Sequence, residues 1–164
     1  MDKKYVIRKI SSSEFDKLKG LFNVQTSEDE KIWEKYRKIR LQQFDEKDAD
    51  IYVIEYEGSF IGELSVYYSS HTLETEAIPG RRVYLSTYRL EKEYRKKGLG
   101  QRLLKFVLDD LEKQGFSEFT IGVEEDNDIA KHIYFKFGFT EAIDKGKGDE
   151  FDPSDYTLYL RKLG

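Results

Sequence analysis

Apolar and polar positions alternate from Tyr5 to Ile10, which predicts a first strand. Ser11 followed by Glu14 forms a capping-box pair, and Phe15, Leu18, Leu21 and Phe22 then recur at helical spacing, which predicts a short helix. The same signal at Ser27 and Glu30 opens a longer helix, with Ile32, Trp33, Tyr36 and Ile39 as one apolar stripe between Lys and Arg residues. Ile51 to Tyr56 and Ser59 to Tyr68 are β-branched and aromatic runs joined by Glu57-Gly58, the pattern of a hairpin. From Ser69 to Gly80 no period survives and a loop is predicted. Val83 to Leu90 is β-prone through its valine, tyrosines and threonine. Leu103, Leu104, Val107, Leu108 and Leu111 then return to helical spacing, in a helix that ends near Gly115. Phe116 to Val123 reads as a strand. After Glu124 to Asn127 comes a short helix carrying Ile129, Ala130, Ile133, Tyr134 and Phe137, stopped by Gly138. Phe139 to Ile143 and Tyr156 to Leu160 are the last strands, separated by a loop from Asp144 to Ser154. The final strand is expected at an exposed edge, where it would permit a homodimer. A central hairpin followed by alternating strands and helices places the chain in the α/β (α+β) class, with helices on the faces of a mixed sheet.

Composition narrows the function classes. The 164 residues fit one domain, and an aromatic share of 15% supplies core area that disordered chains lack. The net charge of -4 opposes general nucleic-acid binding, although Arg81, Arg82 and the basic turn Arg95 to Lys97 offer local cations. There is no cysteine, which excludes disulfides, thiolate metal sites and a cysteine nucleophile; His71 and His132 are the only histidines, which argues against a metal site. No apolar run exceeds Ile51 to Ile54, so neither a membrane span nor a signal peptide is expected, and a soluble cytoplasmic protein follows.

Two constellations carry chemistry. Between the β-prone run at Val83 and the helix at Leu103, Arg95-Lys96-Lys97-Gly98-Leu99-Gly100 fits R-x-x-G-x-G. A turn of this kind presents unpaired backbone N–H groups and the positive end of a helix dipole, and its glycines let phosphates come close. Taken alone it is also compatible with a plain solvated turn. A Walker loop would continue Gly-Lys-Ser/Thr, whereas Gly100 is followed by Gln101-Arg102; a dinucleotide fingerprint would need a third glycine where Leu103 stands. Downstream, Asn127, Ala130, Tyr134, Gly138 and Phe139 fit N-x-x-A-x-x-x-Y-x-x-x-G-F, with Asn127 able to cap the helix and Tyr134 on nearly the same face two turns on.

In this order and spacing the two motifs resemble the GNAT superfamily, the coenzyme A-dependent N-acyltransferases, strongly from about Tyr84 to Phe139 and more loosely before that. The resemblance implies a single domain over residues 1–164, with a mostly antiparallel sheet of six to seven strands and about four helices on its faces. It implies acetyl-CoA as donor, with the coenzyme A diphosphate held by Arg95, Lys96, Lys97, Gly98, Leu99, Gly100 and Gln101. The backbone of Arg89 and Leu90 would pair with the pantetheine arm and polarise the thioester carbonyl, where this strand splays from Phe119 to Val123. Asn127 would bond the pantetheine or hold the neighbourhood of the leaving sulfur, and Tyr134 would bind the cofactor and protonate the departing thiolate. An ordinary phenol titrates near ~10 and a thiol near ~8.5, so Tyr134 would hold its proton at neutral pH.

The acceptor half is less legible. An alkylammonium with a pKa of about 10.4 must lose a proton before it attacks. Many family members carry a carboxylate in the strand before the phosphate turn, but the alternating set here is Tyr84, Ser86, Tyr88 and Leu90. Glu63, Glu124, Glu125 or a water relay past Tyr84 and Tyr88 are the candidate bases. The favoured expectation is an N-acetyltransferase acting by direct transfer on a primary amine of a small molecule or peptide. The alternative is a coenzyme A-binding sensor or interaction module without catalysis.

Overall fold

The computed structural model describes residues 4–148 and 153–163. The strands are β1 (Val6–Lys9), β2 (Ala49–Tyr56), β3 (Ser59–Tyr67), β4 (Arg82–Leu90), β5 (Glu118–Glu124), β6 (Glu141–Gly146) and β7 (Tyr156–Lys162). The α-helices are α1 (Ser27–Asp45), α2 (Leu99–Lys113) and α3 (Asp128–Lys136), with 3₁₀ helices at Ser12–Phe22 and Lys92–Tyr94. The strand order is β1-β2-β3-β4-β5-β7-β6. Of the described pairings, β1–β2, β5–β7 and β6–β7 are antiparallel and β4–β5 is parallel. The expected mixed, mostly antiparallel α/β sheet is therefore present, with seven strands.

Four expectations need correction. The long helix is capped by Thr26, not Ser27: the extended Thr26 accepts from the Asp29 N–H at 3.1 Å, and its own N–H donates to the Asp29 carboxylate at 3.1 Å. Thr-x-x-Asp closes the same reciprocal box one residue earlier. The buried stripe of α1 is Trp33, Tyr36 and Arg40, while Ile32 and Ile39 stand 38% and 42% exposed. β7 is no edge: it lies between β5 and β6, so the edges are β1 and β6 and the case for a homodimer through β7 falls away. Asp144 to Gly146 lengthen β6 rather than opening a loop, and residues 149–152 of that expected loop lie outside the described residues.

Contacts divide the chain into two compact units. One comprises the residues up to Ser65 together with Thr87–Val107; the other comprises Val66–Ser86 together with the residues from Leu108 onward. In the first unit an aromatic cluster anchors α1. Phe22 stands 5.0 Å from Trp33 and 4.3 Å from Tyr36, and Phe15 stacks on Trp33 at 6.3 Å. The hairpin turn at Glu57-Gly58 has φ of 51° and 82°, the doubly left-handed backbone that matches strand twist. Arg8 on β1 ties down the first 3₁₀ helix through a two-pronged bond to Glu14, at 2.9 and 2.6 Å, and also reaches Glu55 on β2.

In the second unit the parallel register runs from Arg82↔Glu118 to Leu85↔Ile121; among the described residues it goes no further, although both strands do. Tyr156 on β7 lays its ring across Gly122 of β5 and Gly146 of β6: a Cβ at Gly122 would come within 2.8 Å of the ring, and one at Gly146 would overlap it.

Candidate active site

The basic turn is built by the first unit. β4 ends at Leu90, and the turn that follows carries a short 3₁₀ helix whose Tyr94 ring meets Tyr56 at 5.9 Å and Tyr5 at 6.4 Å. Arg95 Nε donates to the Leu90 carbonyl at 2.9 Å and so closes the turn on itself rather than reaching outward. Lys97 lies over the Tyr94 ring at 5.7 Å. Lys96 and Gly98 both adopt left-handed backbone, with φ of 63° and 77°. The first i→i−4 bond of α2 runs from Arg102 N–H to the Gly98 carbonyl. The N–H groups of Leu99, Gly100 and Gln101 therefore have no helical partner and face the approach to α2. A Cβ at Gly98 would find nothing within 4 Å, so the backbone here is open to a ligand. Left-handed residues leading into a helix N-terminus, with its outward N–H groups, suit an anion.

Leu99 is buried and fixes the start of α2, while Tyr88 donates its hydroxyl to the Gly100 carbonyl. No local spacing marks this hold, which joins residues twelve apart. A water relay through Tyr88 would have to break it.

On the opposite face of β4 the same unit holds the candidate base Glu63. The Glu91 N–H donates to the Ile61 carbonyl at 2.8 Å, a pairing that sets Glu63 across from Arg89. Glu63 is 1% exposed, and neither of its carboxylate oxygens has a hydrogen-bond partner. It is an interior group. Arg89 Nε stands 3.7 Å from it, outside hydrogen-bond range, with its guanidinium 4.3 Å from the Phe22 centroid and 5.8 Å from that of Tyr36. Arg40, also buried, donates to the Tyr36 hydroxyl and to Ser65 Oγ. Burial pushes the Glu63 carboxyl above the usual range, and the charges of Arg40 and Arg89 pull against that rise.

The second unit carries the downstream motif. The Asn127 side chain accepts from the Ala130 N–H at 3.1 Å and so caps α3 as expected. Tyr134 is 9% exposed and packs edge-on to Phe139 at 6.2 Å; burial pushes its phenol pKa up. Gly138, with φ of 94°, ends the helix while Arg161 Nε donates to the Phe137 carbonyl at 2.8 Å. Of the other candidate bases, Glu125 is well exposed and accepts from Thr157 at 3.4 Å and lies 3.6 Å from Lys145 Nζ, and Glu124 closes β5. Arg81 and Arg82 both pair with the buried Glu118, at 2.9 and 2.7 Å, so these cations are already committed rather than offered to a polyanion. Among the described residues no helix is long and apolar enough to cross a membrane.

Similarity to known proteins supplements this geometry. The profile of the Acetyltransferase (GNAT) family matches residues 18–139. The [Ribosomal protein bS18]-alanine N-acetyltransferase of Escherichia coli (strain K12) is 36% identical over 53 residues, which is 32% of this chain and 36% of that protein. The chain thus matches about a third of the length of these curated relatives. Over nearly the whole fold it is similar to the PaiA N-acetyltransferase of Thermoplasma acidophilum solved with coenzyme A, at TM-score 0.68 and 20% identity, covering 98% of this chain and 99% of that one. It is also similar to the ribosomal-protein-S18-alanine N-acetyltransferase of Escherichia coli, at TM-score 0.69 and 13% identity, covering 98% and 95%.

Proposed function

The chain belongs to the GNAT acetyltransferase family, whose members use acetyl-CoA, and from this we propose that it moves an acetyl group from acetyl-CoA to a primary amine by direct attack. The observation that carries the reading is the turn at Lys96 and Gly98: left-handed backbone, open space at Gly98 and three N–H groups at the start of α2 that precede its first helical bond. That arrangement suits a diphosphate. In this reading Lys96, Lys97, Gly98, Leu99, Gly100 and Gln101 hold the coenzyme's phosphates, with Arg95 shaping the turn through Leu90. The backbone of Arg89 and Leu90 pairs with the pantetheine, where the parallel pairing of β4 has already stopped. Asn127 bonds the pantetheine arm, and Tyr134 gives its proton to the departing thiolate. With no cysteine in the chain, a cysteine-bound acyl intermediate has no nucleophile. The chain acts as one acyltransferase domain in the cytoplasm, on an amine borne by a small molecule or a peptide.

Acetyl-CoA should raise the melting temperature and give measurable binding heat, and a panel of primary amines should reveal thiol release. Absence of both heat and thermal shift would sink the proposal. Tyr134→Phe should lower thiol release by about 100-fold or more while acetyl-CoA affinity stays within twofold. Because burial raises the Tyr134 phenol, its proton stays on through neutral and mildly alkaline pH. The wild-type rate should therefore show no descending limb from this group between about pH 7 and 10.

A further inference from the structure

We propose that Glu63 takes the proton from the acceptor's ammonium, and that Arg89 occupies the acceptor's seat on the Phe22 and Tyr36 rings until the amine arrives. This rests on the acyl-transfer reading above. The other carboxylates of the first unit that meet an arginine are hydrogen-bonded: Glu14 and Glu55 by Arg8, and Asp16 by Arg37. Glu63 alone of these has a cation in reach and no hydrogen bond, in a site where an unpaired polar atom is most costly. A buried carboxylate with a cation nearby and no hydrogen bond keeps both oxygens available to a donor that enters.

Arg89 makes the seat visible. Its side chain is 32% exposed, and its interactions among the described residues are the 3.7 Å approach to Glu63 and the two ring faces. It is a cation resting on aromatic faces beside a carboxylate, with no hydrogen bond between them. Those are the features that select an ammonium: a ring quadrupole beneath it and a negative charge at its side. Arg40 is held differently, buried and tied to Tyr36 and Ser65, so it stays while Arg89 swings away. The charged groups that act on Glu63 are thus Arg40 from α1, which also donates to the Tyr36 hydroxyl, and Arg89 from β4.

The acceptor class is a primary ammonium on a slender stem, whether it comes from a free alkylamine or a peptide amine. The step balances as follows. R–NH3+ gives one proton to the Glu63 carboxylate and becomes R–NH2. The nitrogen lone pair forms the C–N bond to the thioester carbon, and the C–S bond breaks. Tyr134 gives its proton to the sulfur, which leaves as thiol; the second amine proton restores the Tyr134 phenol, and the third stays on the amide. Burial suits Glu63 to this task, because a carboxylate with raised proton affinity is better matched to an ammonium.

The test uses the full chain with acetyl-CoA and n-butylamine, reading thiol release across pH and acetyl-CoA binding by calorimetry. In wild type kcat/KM should rise through the raised pKa of Glu63 and then level off. Glu63→Gln should bind acetyl-CoA within twofold of wild type and lose about 100-fold in thiol release at neutral pH. Its residual rate should climb about tenfold per pH unit toward the amine's own pKa of about 10.4. Arg89→Gln, a positioning variant that does not depend on how Glu63→Gln folds, removes a neighbouring cation and should move the wild-type ascending limb to higher pH. It should also lower KM for butylamine. A folded Glu63→Gln with a wild-type rate and pH profile overturns the assignment, and so does an Arg89→Gln limb that does not move. A wild type that binds acetyl-CoA yet releases no thiol with any amine overturns the transfer reading itself, and this assignment with it. A peptide amine replacing butylamine with higher kcat/KM identifies the source of the ammonium within the same class.

Discussion

Gly98 and Lys96 share a backbone conformation but not the freedom to adopt it. Left-handed φ costs an ordinary L-residue roughly 1 kcal/mol, which glycine avoids. Gly98→Ala should therefore lose about 1 kcal/mol of stability by denaturant titration, and it should weaken acetyl-CoA binding because its methyl enters the open side of the turn. Lys96→Gly should go the other way on stability. Opposite signs from two neighbours would show that the backbone, not the side-chain charge, sets this turn. The glycines were legible in the sequence because a fixed motif spacing names them. Tyr88 and Tyr94 were not, since their work is done through contacts with Gly100, Tyr56 and Tyr5 that only the folded chain brings near. Glu63 lay between these cases: it was readable as a carboxylate, but its burial and its missing partner depend on strand pairing and on α1.

At the scale of elements, local rules worked where the signal was itself local. The hairpin at Glu57-Gly58 and the cap at Asn127 are settled within a few residues, and both stand where the spacing placed them. The start of α1 is ambiguous in sequence because two overlapping boxes compete, Ser27 with Glu30 and Thr26 with Asp29, and sequence alone does not rank them. Thr26→Ala should cost about 1 kcal/mol, while Ser27→Ala, now inside the helix, should change stability by no more than about 0.5 kcal/mol. Equal losses at both positions would contradict the observed cap. The stripe of α1 departs from its apolar pattern for another reason: Arg40 is apolar along its stem but charged at its tip, and its burial depends on Tyr36 and Ser65 accepting its protons.

The sheet as a whole shows where sequence reading stops. Periodicity marks strands but not their neighbours, so the insertion of β7 between β5 and β6 was invisible to it. Acid stability is also a property of the folded assembly of elements. Hydrogen bonds from Arg8 hold Glu14 down to about 2, so its contribution is full above the usual carboxylate range and is lost as pH falls toward about 2. Glu14→Gln should lower the melting temperature at neutral pH, and its gap to wild type should narrow steadily below about pH 5. A gap that persisted unchanged in acid would rule out this linkage. The ring of Tyr156 carries a consequence of another kind. Because it fills the space above Gly122 on one side and Gly146 on the other, positions 122, 146 and 156 form a single steric unit spread over three strands. Gly146→Ala should be harmful alone and much less so beside Tyr156→Ala, a departure from additivity of about 0.5–3 kcal/mol in a double-mutant cycle. The three positions are therefore free to vary together and constrained when they vary apart.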